Sequence, residues 1–479
     1  MASERCGGVF YRIICVFVLL AASTTGFAYS LLTHEQLIDL TWDDSIVPLL
    51  LSRFPDLTPA QLDEARSYAY GGCVIQDIGY YPLGEASLSN LTHYVRSGDF
   101  VMALFRNAHT ADELAFAIGA LSHYVGDSIG HPLATNLGVP IAFPKLRTEY
   151  GKSVNYSQGK VQHVEVEFAF DVDENTHNRT APLKYLQHIG MNVSMHQLGL
   201  AYYQTYGVSE DFDGTRKRRV NEDAYRFAVR SFVPHIATAV GILHRKHMTP
   251  DVDTPEAHAL RSEITAMGVA NNWATYRRPP NFGEHLLAGI IFIMPRFGPF
   301  RLCAIKGPSP RAEADYVHSV ALSVAAMRRM LARFTPPDKR KALPPLPPDA
   351  RDAQRPSAEL GTSARARAVS QTRSDPRHPL PNRDLDTGDV VKPGGYPLTD
   401  NTYAYLLHTL TSQPTVPIPQ GIKEDILAYY SDLDAPIATK KHPDQWKRVL
   451  ADLGTLKGMP TSPFPEPYQT YEEGVTGQE

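Results

Sequence analysis

The chain has 479 residues, enough for two or three ordinary domains or one large domain with extensions. Its hydrophobic fraction of 43% and charged fraction of 20% are those of a globular protein. The formal net charge of −4, from 47 Lys+Arg against 51 Asp+Glu, excludes a strongly basic nucleic-acid binder and an acidic solvating chain. A locally basic face stays open.

At the N-terminus, Arg5 and Arg12 precede the apolar run IICVFVLLAA, Ile13 to Ala22, and then STTGFA. A basic start, a short apolar core and small residues at a cut point predict a secretory signal peptide over residues 1–28 and an exported (secreted or periplasmic) protein. An uncleaved anchor is the alternative, but the run is shorter than the roughly 20 apolar residues of a membrane span. Cleavage after Ala28 would make Tyr29 the first mature residue; cuts after Gly26 or Ser30 would expose Phe27 or Leu31. Cys6 and Cys15 would leave with the signal. Cys73 and Cys303 then remain, one possible pair and no disulfide framework.

From Ser30 to about Phe334 the pattern is mostly helical. Thr33–Gln36 reads as a capping box opening a helix. Thr58-Pro59-Ala60-Gln61 opens a second, with Leu62, Ala65 and Tyr68 on one side. Thr110–Glu113 opens a third, through Leu114, Ile118, Leu121 and Val125. The stretch VQHVEVEFAF, Val161 to Phe170, fits strand alternation and helical spacing alike. Helical patterns follow over 183–205, 222–247, 254–270 and 311–334. Leu286 to Met294 is a short apolar run, read first as buried core and second as a membrane-touching loop. From 336 to 395 the chain is rich in Pro and Arg and nearly free of aromatic residues, which predicts a disordered linker. The stretch from 396 to 479 recovers helical periodicity and is expected to cap the body or pack back on it. With no long series of alternating strands, the fold class is mainly α.

LSHYVGDSIGHP, Leu121 to Pro132, places His123, Asp127 and His131 four residues apart. Each such step on a helix advances roughly 6 Å and turns about 40°, so the three share one face. Imidazole and carboxylate at this spacing suit zinc. Taken alone, the triplet reads equally well as a buried histidine pair and a solvated aspartate. Other residues shift the balance. His34 lies in LLTHEQ, Asp77 follows a Gly pair in GGCVIQDIGYYP, His93 lies in SNLTHYV, and VQHVEVEF holds His163 and Glu167 four apart. The order is H, D, H, then H-x3-D-x3-H, then H-x3-E.

This ordered set resembles the zinc-dependent phospholipase C family, which includes bacterial phosphatidylcholine phospholipase C and the catalytic domain of glycosylphosphatidylinositol-specific phospholipase D. The resemblance covers roughly 29–243, most closely from Tyr70 to Glu167, within a catalytic region of 29–335 whose core is 29–250. It implies a multi-helix bundle of the zinc-dependent phospholipase C and zinc nuclease type, holding up to three Zn²⁺ ions. By position, Asp77, His93, His123 and Asp127 would hold one ion. Asp127 would bridge to a second, completed by His34 and the mature N-terminal amino and carbonyl groups. His131, His163 and Glu167 would hold the third. The segments after 250 depart from the short bacterial enzymes. Tyr80, Tyr81 and Tyr94 lie near the ligands in sequence, but the family's headgroup pocket does not map onto this chain, so headgroup specificity and C-type versus D-type cleavage stay open.

The resemblance further implies a zinc-dependent phosphoric diester hydrolase. Its metals would activate water for in-line attack on phosphorus, and Asp77 would serve as base or as ligand alone. The expected partner is phospholipid at a membrane surface, and no nucleic acid. Two rival functions are a trinuclear-zinc single-strand nuclease or 3′-nucleotidase-like enzyme and a non-catalytic membrane-associated protein that retains the site. The nuclease would call for an N-terminal Trp, and YSLLTHE offers none. The sequence carries no signal for oligomeric state.

Overall fold

The computed structural model describes residues 31–81, 83–212, 214–244, 250–293, 307–341, 378–465 and 468. The expected signal peptide, Tyr29 and Cys303 lie outside them. Cys73 is a buried free thiol whose Sγ–H donates to the Tyr70 carbonyl.

The described residues are 71% helical, so the mainly-α expectation holds. The principal helices are α1 (Leu31–Thr41), α2 (Pro59–Gly72), α3 (Ala86–Tyr94), α4 (Ser97–Arg106), α5 (Ala111–Gly130), α6 (Lys160–Thr176), α7 (Met195–Tyr206), α8 (Pro255–Ala270), α9 (Phe282–Ile293), α10 (Pro310–Phe334), α11 (Pro397–Thr411), α12 (Gln420–Tyr429) and α13 (Pro443–Gly458). Two two-residue strands, β1 (Ile418–Pro419) and β2 (Thr461–Ser462), pair in parallel.

Local signals explain several helix starts. Thr58 and Gln61 form a reciprocal capping box at α2, and Thr110 and Glu113 do the same at α5. Thr33 does not cap α1, which already runs from Leu31. Instead Asp171 of α6 accepts hydrogen bonds from the Leu32 amide (3.0 Å) and the Thr33 hydroxyl (3.3 Å). A buried carboxylate from another helix thus does the work of a local cap. The ambiguous segment 161–170 is helical, inside α6.

Helix α5 is the centre of the molecule. Leu114 through Asp127 are all buried, and α1, α2, α4 and α10 pack around it. The α2–α5 crossing is close. A Cβ on Gly119 would sit 2.3 Å from the Ala69 carbonyl oxygen, and one on Gly72 would sit 2.2 Å from that of Phe116. Glycine at both positions lets the two backbones touch. A turn of π-helix, His131–Thr135, continues α5. Its first amide still bonds to the Asp127 carbonyl, so His131 keeps the helical phase of the residues before it.

Two expectations change. The apolar run around Leu286 is not core. Of α9 only Ala288 and Ile291 are buried, while Phe282, Phe292 and Ile293 are 81%, 66% and 79% exposed. The linker expectation also fails at its C-terminal end. Residues 342–377 lie outside the described set, but 378–395 form a strap packed on the body. Leu380 and Leu385 are fully buried, the Tyr124 hydroxyl donates to the Pro381 carbonyl at 2.7 Å, and the Leu385 amide donates to the His93 carbonyl at 3.1 Å. Low aromatic content did not prevent this. The strap gains its order from hydrogen bonds and a few leucines against a preformed surface, which composition averages away. Beyond it the helical tail packs back on the body, α11 against α3 and α12 with β1 against α7.

Candidate metal centre

His123 and Asp127 face the same way from α5, and His131 follows one turn on. His34 comes from α1, His93 from the last turn of α3, and Asp77 from a short 3₁₀ turn, Ile75–Asp77. His163 and Glu167 share a face of α6. None of these eight residues is more than 2% exposed. All eight residues named from the sequence meet in one place.

Asp127 is the hub. Its Oδ2 lies 3.0 Å from His123 Nε2 and 3.5 Å from His93 Nε2; its Oδ1 lies 3.2 Å from His34 Nε2 and 3.7 Å from His131 Nε2. On one side, His93 Nε2 is 3.3 Å from both Asp77 Oδ1 and His123 Nε2. On the other, Glu167 Oε1 is 2.8 Å from His163 Nε2 and 3.2 Å from His131 Nε2. Three sets of ligand atoms therefore each close to within 4.8 Å: Asp77–His93–His123, His34–His123–Asp127 and His131–His163–Glu167. His123 belongs to two of them, a sharing that the positional assignment had left to Asp127 alone. It follows from the stacking of the His34 and His123 rings, whose centroids are 4.5 Å apart.

The donor set fits metal. Both oxygens of Asp127, both of Glu167, Oδ1 of Asp77 and both ring nitrogens of His163 are buried without a hydrogen-bond partner. Orphaned carboxylate oxygens facing imidazole nitrogens in a dry interior are costly unless a cation sits between them. The ring tautomers are prepared for one. His123 Nδ1 faces the Cys73 carbonyl at 3.2 Å and His93 Nδ1 faces that of Ser89 at 2.7 Å. Each Nδ1–H is held outward, which leaves the Nε2 lone pair facing the cluster.

Electrostatics agree. Burial alone would push Asp127 up, yet the His123 and His131 rings hold it well below the ordinary carboxylate range. Burial pulls His93 down, but Asp127 and Asp77 outweigh it and hold the ring near 10. Burial and the neighbouring His123 push His34 down. The carboxylates thus draw a proton onto the His93 ring in the metal-free cluster, and a cation bound there would displace it.

Aromatic side chains wall the site. Tyr80 and Tyr94 lie beside His93, with ring centroids 5.5 and 5.9 Å away, and Tyr156 stands edge-on to His163 at 5.6 Å. Tyr81 belongs to the core, edge-on to Tyr225. One neighbour escaped sequence reasoning. Asp386 Oδ1 lies 3.5 Å from His131 Nδ1. It shares no spacing with the other residues, and its only sequence signal is the acidic turn DLDTGD in a stretch that reads as linker.

A mainly-α fold built around a buried histidine–carboxylate cluster with three converging donor sets is an arrangement able to hold metal ions. Residues 33–210 match the family described as zinc dependent phospholipase C, which supports a hydrolase of the phospholipase C type over that part of the chain. No curated protein and no solved structure gives a match.

Proposed function

We propose that the protein is an exported zinc-dependent phosphodiesterase that hydrolyses phospholipid headgroup esters at a membrane surface. The observation that carries this reading is the convergence of Asp77, His93, His123, Asp127, His34, His131, His163 and Glu167 on one buried cluster. Asp77, His93, His123 and Asp127 would hold one ion. Asp127 and His34 would hold the second with the mature N-terminus, and His131, His163 and Glu167 would hold the third. Bound zinc supplies a Lewis acid for phosphoryl oxygens and water that ionises near neutral pH. Asp127 offers its two oxygens to different histidine pairs and so would be the residue shared between neighbouring ions. Asp77, whose Oδ1 lies 3.3 Å from His93 Nε2 at the edge of the cluster, would serve as the base that takes the proton from the attacking water. The basic start and apolar run of residues 1–28 support export, and cleavage would free the N-terminal amine.

Metal analysis of the mature protein together with hydrolysis assays tests the reading. Two or three zinc ions per chain and cleavage of phosphatidylcholine in vesicles are expected. Cleavage of single-stranded DNA instead would establish the nuclease alternative, and no phosphodiester cleavage by fully metallated protein would establish the non-catalytic one. Asp127→Asn is expected to lose at least one ion and more than 100-fold in rate, on the order of a lost bridging ligand. Unchanged zinc content and rate would refute the bridge.

A further inference from the structure

Asp386 lies far beyond the end of the family match at residue 210, yet it reaches the metal cluster. It comes from the strap 378–395. Its side chain is only 5% exposed and is held in place from several sides. Oδ2 accepts hydrogen bonds from the Tyr396 hydroxyl (2.6 Å) and the Tyr94 hydroxyl (3.0 Å). The Asp386 carbonyl accepts from Asn136 Nδ2 at 2.8 Å, and its amide donates to Asp384 Oδ1 at 3.0 Å. Asp384 is itself held by the Thr399 hydroxyl at 2.9 Å. Two residues on, Gly388 has φ +70°, and a Cβ there would meet the Ser128 carbonyl oxygen at 2.3 Å. The strap is therefore seated on α5 itself.

These contacts leave Oδ1 of Asp386 aimed at Nδ1 of His131, 3.5 Å away, while Nε2 of the same ring faces Glu167 and Asp127. The two nitrogens of an imidazole lie on opposite edges, so a proton fixed on Nδ1 leaves Nε2 as the lone-pair donor. His93 and His123 receive this service from backbone carbonyls within the matched region 33–210. His131 faces a carboxylate instead, which also raises the basicity of the ring toward a metal.

We propose that Asp386 is a positioning residue: it takes the Nδ1–H of His131, fixes the ring for metal binding, and makes the strap 378–395 part of the metal centre. This rests on the metal reading given above. The experiment compares full-length wild type with Asp386→Asn and Asp386→Ala. Zinc is titrated against a competing chelator, and ¹⁵N-histidine spectra are recorded on the zinc-loaded proteins. Asp386→Ala is expected to weaken one zinc site roughly ten- to a hundredfold and leave the others unchanged. Asp386→Asn, isosteric and still an acceptor, is expected to fall between, and in both variants one downfield imidazole Nδ1–H resonance shifts. Should the alanine variant fail to fold, the asparagine variant carries the test. Wild-type zinc affinities and an unmoved imidazole resonance in the variants would overturn the proposal. Wild type that binds no zinc would instead overturn the metal reading on which it stands.

Discussion

On α5, the cluster residues His123 and Asp127 flank Gly126, whose lack of a side chain leaves room for the His34 ring. A Cβ at Gly126 would lie 3.0 Å from both Cε1 and Nδ1 of His34 and 3.1 Å from Leu37 Cδ1. Gly126→Ala should therefore push the His34 ring off its approach to Asp127. The same change favours the helix by about 1 kcal/mol in intrinsic propensity. The two effects separate: zinc content is expected to fall by one ion per chain, or its affinity at least tenfold, while metal-free thermal stability holds or rises. Full zinc content in Gly126→Ala would show that the ring has room to give. The cluster was legible because the i, i+4 triplet on α5 did not stand alone: His34, Asp77, His93 and the His163–Glu167 pair followed one another in an order that chance pairing does not give. Asp386 was not, since a residue that reaches a site from a distant strap leaves no periodic trace.

The elements most readable from sequence were those with their own start signals, α2 and α5, where the cap and the apolar stripe agree. α1 was placed correctly, but its cap was misread, because Asp171 supplies it from far along the chain. The strap was the largest loss, and its stability has a pH signature. Asp99, in the first turn of α4, accepts from Arg96 Nε at 2.7 Å and Asn382 Nδ2 at 3.1 Å, and its other oxygen lies 2.7 Å from His378 Nδ1. Burial would raise its pKa, but Arg96 and His378 overcome this and hold it at about 2, against an ordinary 3.8. A carboxyl lowered on folding stabilises the native state above its unfolded pKa, and the stabilisation disappears as pH falls through the folded value. The difference is worth about 2 kcal/mol. Asp99→Asn should be less stable than wild type by about that amount at pH 7, with the gap closing between pH 4 and pH 2. Urea unfolding across this range decides it; a gap that persists unchanged at pH 2 would mean that shape rather than charge is lost.

At the scale of the whole molecule, the family match ends at residue 210, but the packing does not. Helix α10 covers α1 and α5, the strap seats on the site, and α11 lies against α3. A hydrophobic pattern announces that a helix is covered, not by which partner, which is why the return of the tail to the body was legible but its seat on α3 and α7 was not. α9 is the exception, since it turns Phe282, Phe292 and Ile293 outward. In sequence Arg277 and Arg278 precede it, and Arg296 and Arg301 follow. Apolar side chains flanked by basic ones suit a helix that lies in the headgroup region of a phospholipid layer, which is where the proposed substrate is found. Burying a Phe or Ile side chain contributes about 1.5–3 kcal/mol. Replacing Phe292 and Ile293 together by Ser should thus weaken co-sedimentation with vesicles of phosphatidylcholine and an anionic lipid by at least tenfold. Because both side chains are exposed, urea stability should change by no more than about 0.5 kcal/mol. Cleavage of a short-chain, monomeric phosphatidylcholine should be unaffected, since it needs no interface. Undiminished vesicle binding by the double variant would exclude α9 as the contact and leave the membrane surface to another face of the protein.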